Sequence, residues 1–438
     1  MTDVRSIVYE TLLLAEDNRT GSVTKDVLNK YSYLPEEDRR FIKRLTEGVT
    51  ERRITLDHIA DIFSKTPSAK MKKQIRTLIR MGTYQLIYMD SVADHAAVNE
   101  TVKLARKRGF SQLSGFVNGV LRNIAANREK ITWPDRDRDP VRFLSVTYSC
   151  PEWIVSKLID EEGIENAETL LKLSVSTRPV TARVNLSKGT PGDVTGEGYC
   201  DASDVLPFAV TLRDYDKVTD IPAFCDGRIC IQDISSMMVG LVAHVTDNDT
   251  VLDMCASPGG KSLHLADLAQ GATVISCDVS DKKIEKIEEN IKRCGFSNIT
   301  TMVADATVFD PKFEGRFDMV IADVPCSGLG VMGRKNDIRY NLTPESIDSL
   351  TKLQKKILLN AVRYLKPGAT LMFSTCTCSK GENIDNFEFL RDECNLTPVS
   401  FFEDLPEALR CDTAKDGYLQ LYGKDLLTDG FFIGKFRK

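Results

Sequence analysis

The 438-residue chain contains no uninterrupted apolar run of about 18 residues, so no membrane-spanning helix is expected. Its first residues carry Asp3 and Glu10 within an apolar pattern and lack a basic start, a long apolar stretch and a small-residue cleavage site. No secretory signal is expected, and the protein is expected to stay in the cytoplasm. The twelve cysteines include no CxxC pair, and the four histidines (His58, His95, His244, His264) form no HxxxH. A zinc or other metal site is therefore not expected. Scattered over so long a chain, the cysteines do not form a disulfide framework and read as reduced thiols. Positive charge is also lacking, since the net charge is −5. That argues mildly against nucleic acid as a partner, although the distribution of charge matters more than its sum.

What is present is a soluble, globular composition, 42% hydrophobic and 28% charged, on a chain long enough for two or three domains. Charge is uneven: Lys70 to Lys130 holds 12 Lys/Arg against 4 Asp/Glu. This excess of basic residues is either a solvated helical face or a phosphate-contacting surface. From residue 4 to about 127, apolar residues recur at three and four, as in Phe41, Leu45 and Val49 or Ile75, Leu78 and Ile79, which predicts an all-α domain over 1–132. Leu34-Pro35-Glu36-Glu37-Asp38 reads as a helix opening. Charged residues between Pro134 and Pro140 mark a boundary. A small α+β module follows over 141–226, helical at 152–172, with strands expected at 180–186 and 228–234.

The rest, 227–438, has the βα rhythm of a doubly wound, Rossmann-like α/β domain. Strands are expected at 250–255, 273–278, 299–304, 317–323 and 369–375. A helix over 344–366 should end at Pro367-Gly368. Between the first strand and its helix lies Cys255-Ala256-Ser257-Pro258-Gly259-Gly260-Lys261. A Walker A loop would need glycine where Cys255 stands, and GxGxxG is absent. An adenosyl cofactor without a pyrophosphate remains. Asp278, ending the second strand, is placed for its ribose hydroxyls and Asp305, after the third, for its adenine amine. Either acid alone could instead cap the next helix.

Strand order 3-2-1-4-5 would bring Asp323 and Cys326, after the fourth strand, beside Cys376, after the fifth. A lone cysteine there would be core filling. A pair beside a methyl donor has a chemical use: thiolate addition at C6 of cytosine makes C5 nucleophilic enough to accept a methyl group. Asp323 is the candidate to meet N3 of the base. Cys378 lies two residues beyond Cys376, so pattern alone leaves open which of them attacks.

These segments carry a resemblance. Asp253-Met254-Cys255-Ala256-Ser257-Pro258-Gly259-Gly260-Lys261, Asp323-Val324-Pro325-Cys326-Ser327-Gly328, and Ser374-Thr375-Cys376 with Glu382-Asn383 resemble motifs of the bacterial 16S ribosomal RNA cytosine-C5 methyltransferases of the RsmB/Sun type. Ser257 stands where that family commonly has alanine. The resemblance implies Cys376 as the nucleophile, Cys326 as the thiol that assists release, and Cys378 as an extra thiol. It implies S-adenosylmethionine as the cofactor, held by Cys255 to Lys261, Asp278, Asp305 and Asp323, and cytosine 967 of 16S RNA as the target. Met81 to Leu86 and His95 to Glu100 look similar to the NusB-type RNA-binding domain, which supports the RNA reading of the basic segment. Tyr148 to Trp153 and Ala182 to Asn185 resemble the family's middle RNA-binding module, with Cys150 where histidine is common. The partner is then ribosomal RNA, free or partly assembled, with no DNA or membrane and a monomeric protein. The alternatives are methylation of an exocyclic amine, of a cytosine in another RNA, or a non-catalytic RNA-binding assembly factor.

Overall fold

The computed structural model describes residues 3–17, 23–423 and 427–438. They form two compact units, one of Met1–Val175 with Met332–Asn341, the other of Ser176–Val331 with Leu342–Lys438.

The first unit is helical. The helix Glu36–Glu51 opens where the sequence suggests, after Pro35 and with Glu36, Glu37 and Asp38 against the positive end of its dipole. The helices Arg53–Phe63, Lys73–Tyr88, Asp94–Lys107 and Ser114–Ala126 contribute Leu56, Ile59, Leu78, Leu104, Leu121 and Ile124 to one buried core. Truncating any of these to alanine should cost about 2–5 kcal/mol.

The expected boundary near residue 141 is not where the units part. The helices Pro140–Tyr148, Glu152–Glu162 and Ile164–Leu173 belong to the first unit. The reason is local: Thr55 Oγ1 donates to Val146 O at 2.6 Å and Ile54 N to Ser149 Oγ at 2.9 Å. These buried bonds tie the first of the three helices to Arg53–Phe63. The expected helix 152–172 is two helices, separated by Gly163 at φ +78°. Met332–Asn341 joins the same unit through the fully buried Arg339. Its guanidinium donates to the carbonyls of Tyr148, Ser149, Ser174 and Met332 at 2.9–3.4 Å.

The second unit opens with four short strands, β1 Thr181–Val184, β2 Cys200–Ala202, β3 Ala209–Leu212 and β4 Ile229–Ile231, in the antiparallel order β2-β3-β1-β4. Its larger sheet contains β5 Thr250–Asp253, β6 Thr273–Asp278, β7 Ile299–Val303, β8 Phe317–Asp323, β9 Leu365–Thr375, β10 Thr397–Pro398, β11 Tyr418–Tyr422 and β12 Gly430–Arg437. Their order is β10-β12-β9-β8-β5-β6-β7, with β11 on β12. The run β7-β6-β5-β8-β9 is parallel and is the 3-2-1-4-5 order expected of the doubly wound domain. β12 adds to β9 antiparallel.

One boundary differs from expectation. The helix before β9 is Pro344–Tyr364, and Pro367-Gly368 lies inside the strand rather than stopping the helix. Phe317 pairs with Leu365, but Met319 pairs with Thr370. The proline, lacking an N–H, therefore sits in a bulge.

Candidate active site

β5 ends at Asp253, and the chain turns through Met254 to Gly259 into the helix Gly260–Leu268. Neighbouring strands hold this turn: Met254 N donates to Ile321 O at 3.0 Å and Ala256 N to Cys277 O at 2.9 Å. Gly259 has φ +103°, and a Cβ there would come within 3.3 Å of the Ile287 side chain, so the turn needs glycine. Asp278, buried at the end of β6, accepts from Ser257 N at 3.0 Å, Val279 N at 2.7 Å and Lys283 Nζ at 2.8 Å. The first of these bonds couples it directly to the loop.

Asp253, to which the sequence assigned no role, lies beneath the turn. Its Oδ2 accepts from Ser262 Oγ at 2.7 Å, its Oδ1 is buried without a partner, and burial pushes its pKa up to about 6. The signal was available, since it is an acid at a strand end like Asp278 and Asp323.

Asp323, closing β8, is held from two sides. Lys261 Nζ donates to its Oδ2 at 2.7 Å and Ser374 Oγ to its Oδ1 at 2.6 Å. Lys261 also reaches Ser236 Oγ at 3.2 Å and lies 5.3 Å from the centre of the Phe431 ring. The first turn of the loop helix is thereby tied to the ends of β8 and β9. Asp305 is placed differently. It is exposed after β7 and accepts from Thr307 N at 2.9 Å and Thr307 Oγ1 at 2.7 Å, bonds that lower its pKa and close its own turn.

The two cysteines converge. Val324 N donates to Ser374 O and Gly330 N to Cys376 O, each at 3.1 Å, which lays the segment after β8 along the end of β9. A Cβ on Gly330 would fall 2.0 Å from Gly430 O, so this close approach requires glycine. Cys326 Sγ lies 3.3 Å from Cys376 Sγ, in contact but not bonded. The Cys376 sulfur, burial and the Glu382 carboxylate all raise the pKa of the Cys326 thiol well above its usual value. The Cys326 thiol therefore keeps its proton. Cys376 is half-buried, whereas Cys378 is fully buried with its sulfur turned to Leu421 O at 3.6 Å and Gln420 Nε2 at 3.3 Å. The structure thus separates two thiols that pattern alone left equivalent. Asn383 accepts from Thr375 Oγ1 at 2.5 Å and donates to Thr377 O at 2.9 Å, bracing the chain on either side of Cys376.

The donor set fits an adenosyl cofactor. A buried acid closes β6, the loop's backbone is open at Gly259 and Gly260, and Asp253 keeps an unpartnered oxygen under the turn. Among the described residues, no group of three or more His, Cys, Asp or Glu is arranged to hold a metal, and no helix is long and apolar enough to cross a membrane.

The basic segment of the first unit is less basic in space than in sequence. Lys73 pairs with Asp17, Arg76 with Glu16, Arg80 with Asp57, Lys103 with Glu100, Lys107 with Asp3, Arg108 with Glu10 and Arg128 with Asp94. Five of these acids come from the helices before residue 64 or the chain leading into them. Lys70, Lys72, Arg106, Arg122 and Lys130 remain as exposed cations.

Fold and site together define an S-adenosylmethionine-dependent methyltransferase carrying a helical unit at its N-terminal end. Residues 241–437 match the family described as 16S rRNA methyltransferase RsmB/F, and residues 2–126 match the NusB family. A Bacillus subtilis protein named "Probable ribosomal RNA small subunit methyltransferase B" is 35% identical over 448 residues, covering 100% of this chain and 99% of its own. The chain belongs to this RsmB family of methyltransferases. Among solved structures, that of PH0851 aligns with a TM-score of 0.77 at 21% identity, covering 100% of this chain and 99% of the other. That of NSun6 from Pyrococcus horikoshii with SFG has a TM-score of 0.58 at 21% identity, covering 66% and 98%. Both share the fold.

Proposed function

We propose that the chain methylates carbon 5 of a cytosine in 16S ribosomal RNA, with Cys376 as covalent nucleophile and Cys326 assisting release. The observation that carries this reading is the 3.3 Å approach of the two sulfurs beside the glycine loop. Methylation of an exocyclic nitrogen has no use for two thiols there, whereas C5 of cytosine must be activated by addition at C6.

Cys376 Sγ adds to C6, forming an S–C6 bond and moving electron density toward C5 and N3. As the thiolate adds, N3 takes a proton from water; Asp323, oriented by Lys261 and Ser374, accepts the hydrogen bond of that N3–H and so stabilises the adduct, and the proton returns to water when the product leaves. S-adenosylmethionine, when bound by Cys255, Ala256, Ser257, Pro258, Gly259, Gly260, Lys261, Asp278, Asp305 and Asp323, supplies a methyl group from its sulfonium sulfur to C5. Loss of the C5 proton to water restores the C5=C6 bond and breaks S–C6, and the electron pair leaves on Cys376. The S–H of Cys326 hydrogen-bonds the departing thiolate.

Lys70, Lys72, Arg106, Arg122 and Lys130 are the phosphate contacts of the NusB-type unit in this reading. The substrate is 16S RNA, free or partly assembled, and cytosine 967 is the position the resemblance assigns. The protein acts as a monomer in the cytoplasm. Incubation with ribosomal RNA and labelled cofactor, followed by mapping of the modified base, tests the reading. The expected product is 5-methylcytosine, and a methyl group on an exocyclic nitrogen overturns it.

A further inference from the structure

The segment between β8 and the helix Pro344–Tyr364 contains no strand and, before residue 332, only the short turn Leu329–Val331. The position of Cys326 within it depends on side chains from elsewhere. Its two neighbours are held by one buried pair, Ser327 by Glu382 and Pro325 by Gln354. Glu382, fully buried, accepts from Ser327 N at 2.8 Å, Ser327 Oγ at 2.5 Å and Gln354 Nε2 at 3.0 Å. The same Gln354 nitrogen donates to Pro325 O at 2.9 Å. Asn386 closes the ring by donating to Gln354 Oε1 at 2.9 Å and to Glu382 O at 3.0 Å. Ser327 Oγ also meets Thr377 Oγ1 at 2.7 Å, beside Cys376. Every donor to the carboxylate is neutral. Burying a carboxylate in this way is costly unless its hydrogen bonds are complete.

We infer that Glu382 is a positioning residue for product release: it clamps Ser327 directly and Pro325 through Gln354, and so holds the Cys326 thiol against Cys376. This rests on the release role given to Cys326 above. The carboxylate has a second effect in the same direction, because its negative charge adds to burial and to the Cys376 sulfur in keeping Cys326 protonated. A protonated thiol is what a departing thiolate needs as a hydrogen-bond donor. Attack by Cys376, whose place is set by β9 and Asn383, does not require the clamp.

The test compares Glu382→Ala, Glu382→Gln and Cys326→Ala in single-turnover and multiple-turnover methylation of ribosomal RNA. Denaturing gels record the protein–RNA adduct, and thermal unfolding records the fold. Glu382→Ala is expected to transfer the first methyl group within about threefold of wild type while steady-state turnover falls about 30-fold, with the adduct accumulating. Glu382→Gln keeps the shape and one acceptor oxygen and should accumulate less adduct and recover part of the turnover. A folded Glu382→Ala protein with no adduct above wild type overturns the inference. If that variant does not fold, Glu382→Gln decides by the same readout. Absence of adduct in Cys326→Ala, with first-turnover methylation intact, instead removes the release role of Cys326 and this inference with it.

Discussion

On the cofactor side of the sheet, Asp323 meets the ammonium of Lys261 and Asp278 that of Lys283. On the thiol side, the fully buried Glu382 is satisfied by a backbone amide, a hydroxyl and a glutamine. The two halves meet at the ends of β8 and β9, where Asp323 precedes Cys326 and Ser374 precedes Cys376, yet only the first pairs acids with lysines. There, Asp253, Asp278 and Asp323 face two lysines, leaving an excess of one negative charge when all are ionised, which suits a sulfonium cofactor. On the thiol side, the Cys376 sulfur and burial keep the proton on Cys326, and the negative charge of Glu382 adds to them. Ion pairing fixes a binding surface, whereas neutral hydrogen bonding leaves a charge available to bias a proton.

The sharpest way to break this comparison is to remove the nucleophile. Cys376→Ala should lower methylation by more than about a thousandfold and abolish the adduct, because the sulfur that adds at C6 is gone. Cys378 is buried against Leu421 and cannot substitute. Activity equal to wild type would sink the assignment.

Next in size is the Lys261–Asp323 pair. Lys261→Met leaves Asp323 with Ser374 alone and should weaken cofactor binding or transition-state stabilisation by about 1–3 kcal/mol, the partial exposure of Asp323 limiting the loss. Calorimetry with the cofactor and initial rates would measure it. The double variant Lys261→Met with Asp323→Asn should lose less than the sum of the single changes, since neither leaves a charge behind. Strict additivity would mean that the pair is not a functional unit.

Asp253 separates the halves by pH. Its folded-state pKa of about 6 lies above the ordinary 3.8, so the unfolded chain ionises first as pH rises. The group therefore costs no stability below about pH 4, and a penalty of about 3 kcal/mol develops between pH 4 and 6. Urea unfolding at pH 4.5 and 7 should show Asp253→Asn gaining on wild type as pH rises. Parallel profiles would mean that the carboxylate is not desolvated.

How much of this was legible beforehand depends on sequence distance. Asp278, Asp323, Cys326 and Cys376 could be placed because strand ends in a doubly wound sheet converge, and the parallel order that does this follows from the βα rhythm. Glu382 could be quoted as part of a motif, but its grip on Ser327 and Gln354 spans 55 and 28 residues and leaves no periodic trace. The pairing within the basic segment was hidden in the same way, since Asp3, Glu10, Glu16 and Asp17 reach Lys107, Arg108, Arg76 and Lys73 from some 60 to 100 residues earlier. Pro367-Gly368 reads as a helix stop by local rules, yet β8 draws those residues into the sheet as a bulge.

Asp305 supplies the finest distinction. Like Asp278 it is assigned to the cofactor from its place near a strand end, Asp278 for the ribose hydroxyls and Asp305, two residues past its strand, for the adenine amine. In the fold Asp278 is buried and bonded to the loop at Ser257, whereas Asp305 is exposed and bonded within its own turn. An exposed acceptor exchanges its ligand bond with water at little net gain, while a buried one pre-positioned by the loop does not. Asp305→Ala should therefore raise KM for the cofactor only about threefold, against tenfold or more for Asp278→Ala. Equal effects would mean that the turn at Thr307 opens when the cofactor binds, and hydrogen exchange at the Thr307 and Val308 amides, with and without cofactor, would detect that opening.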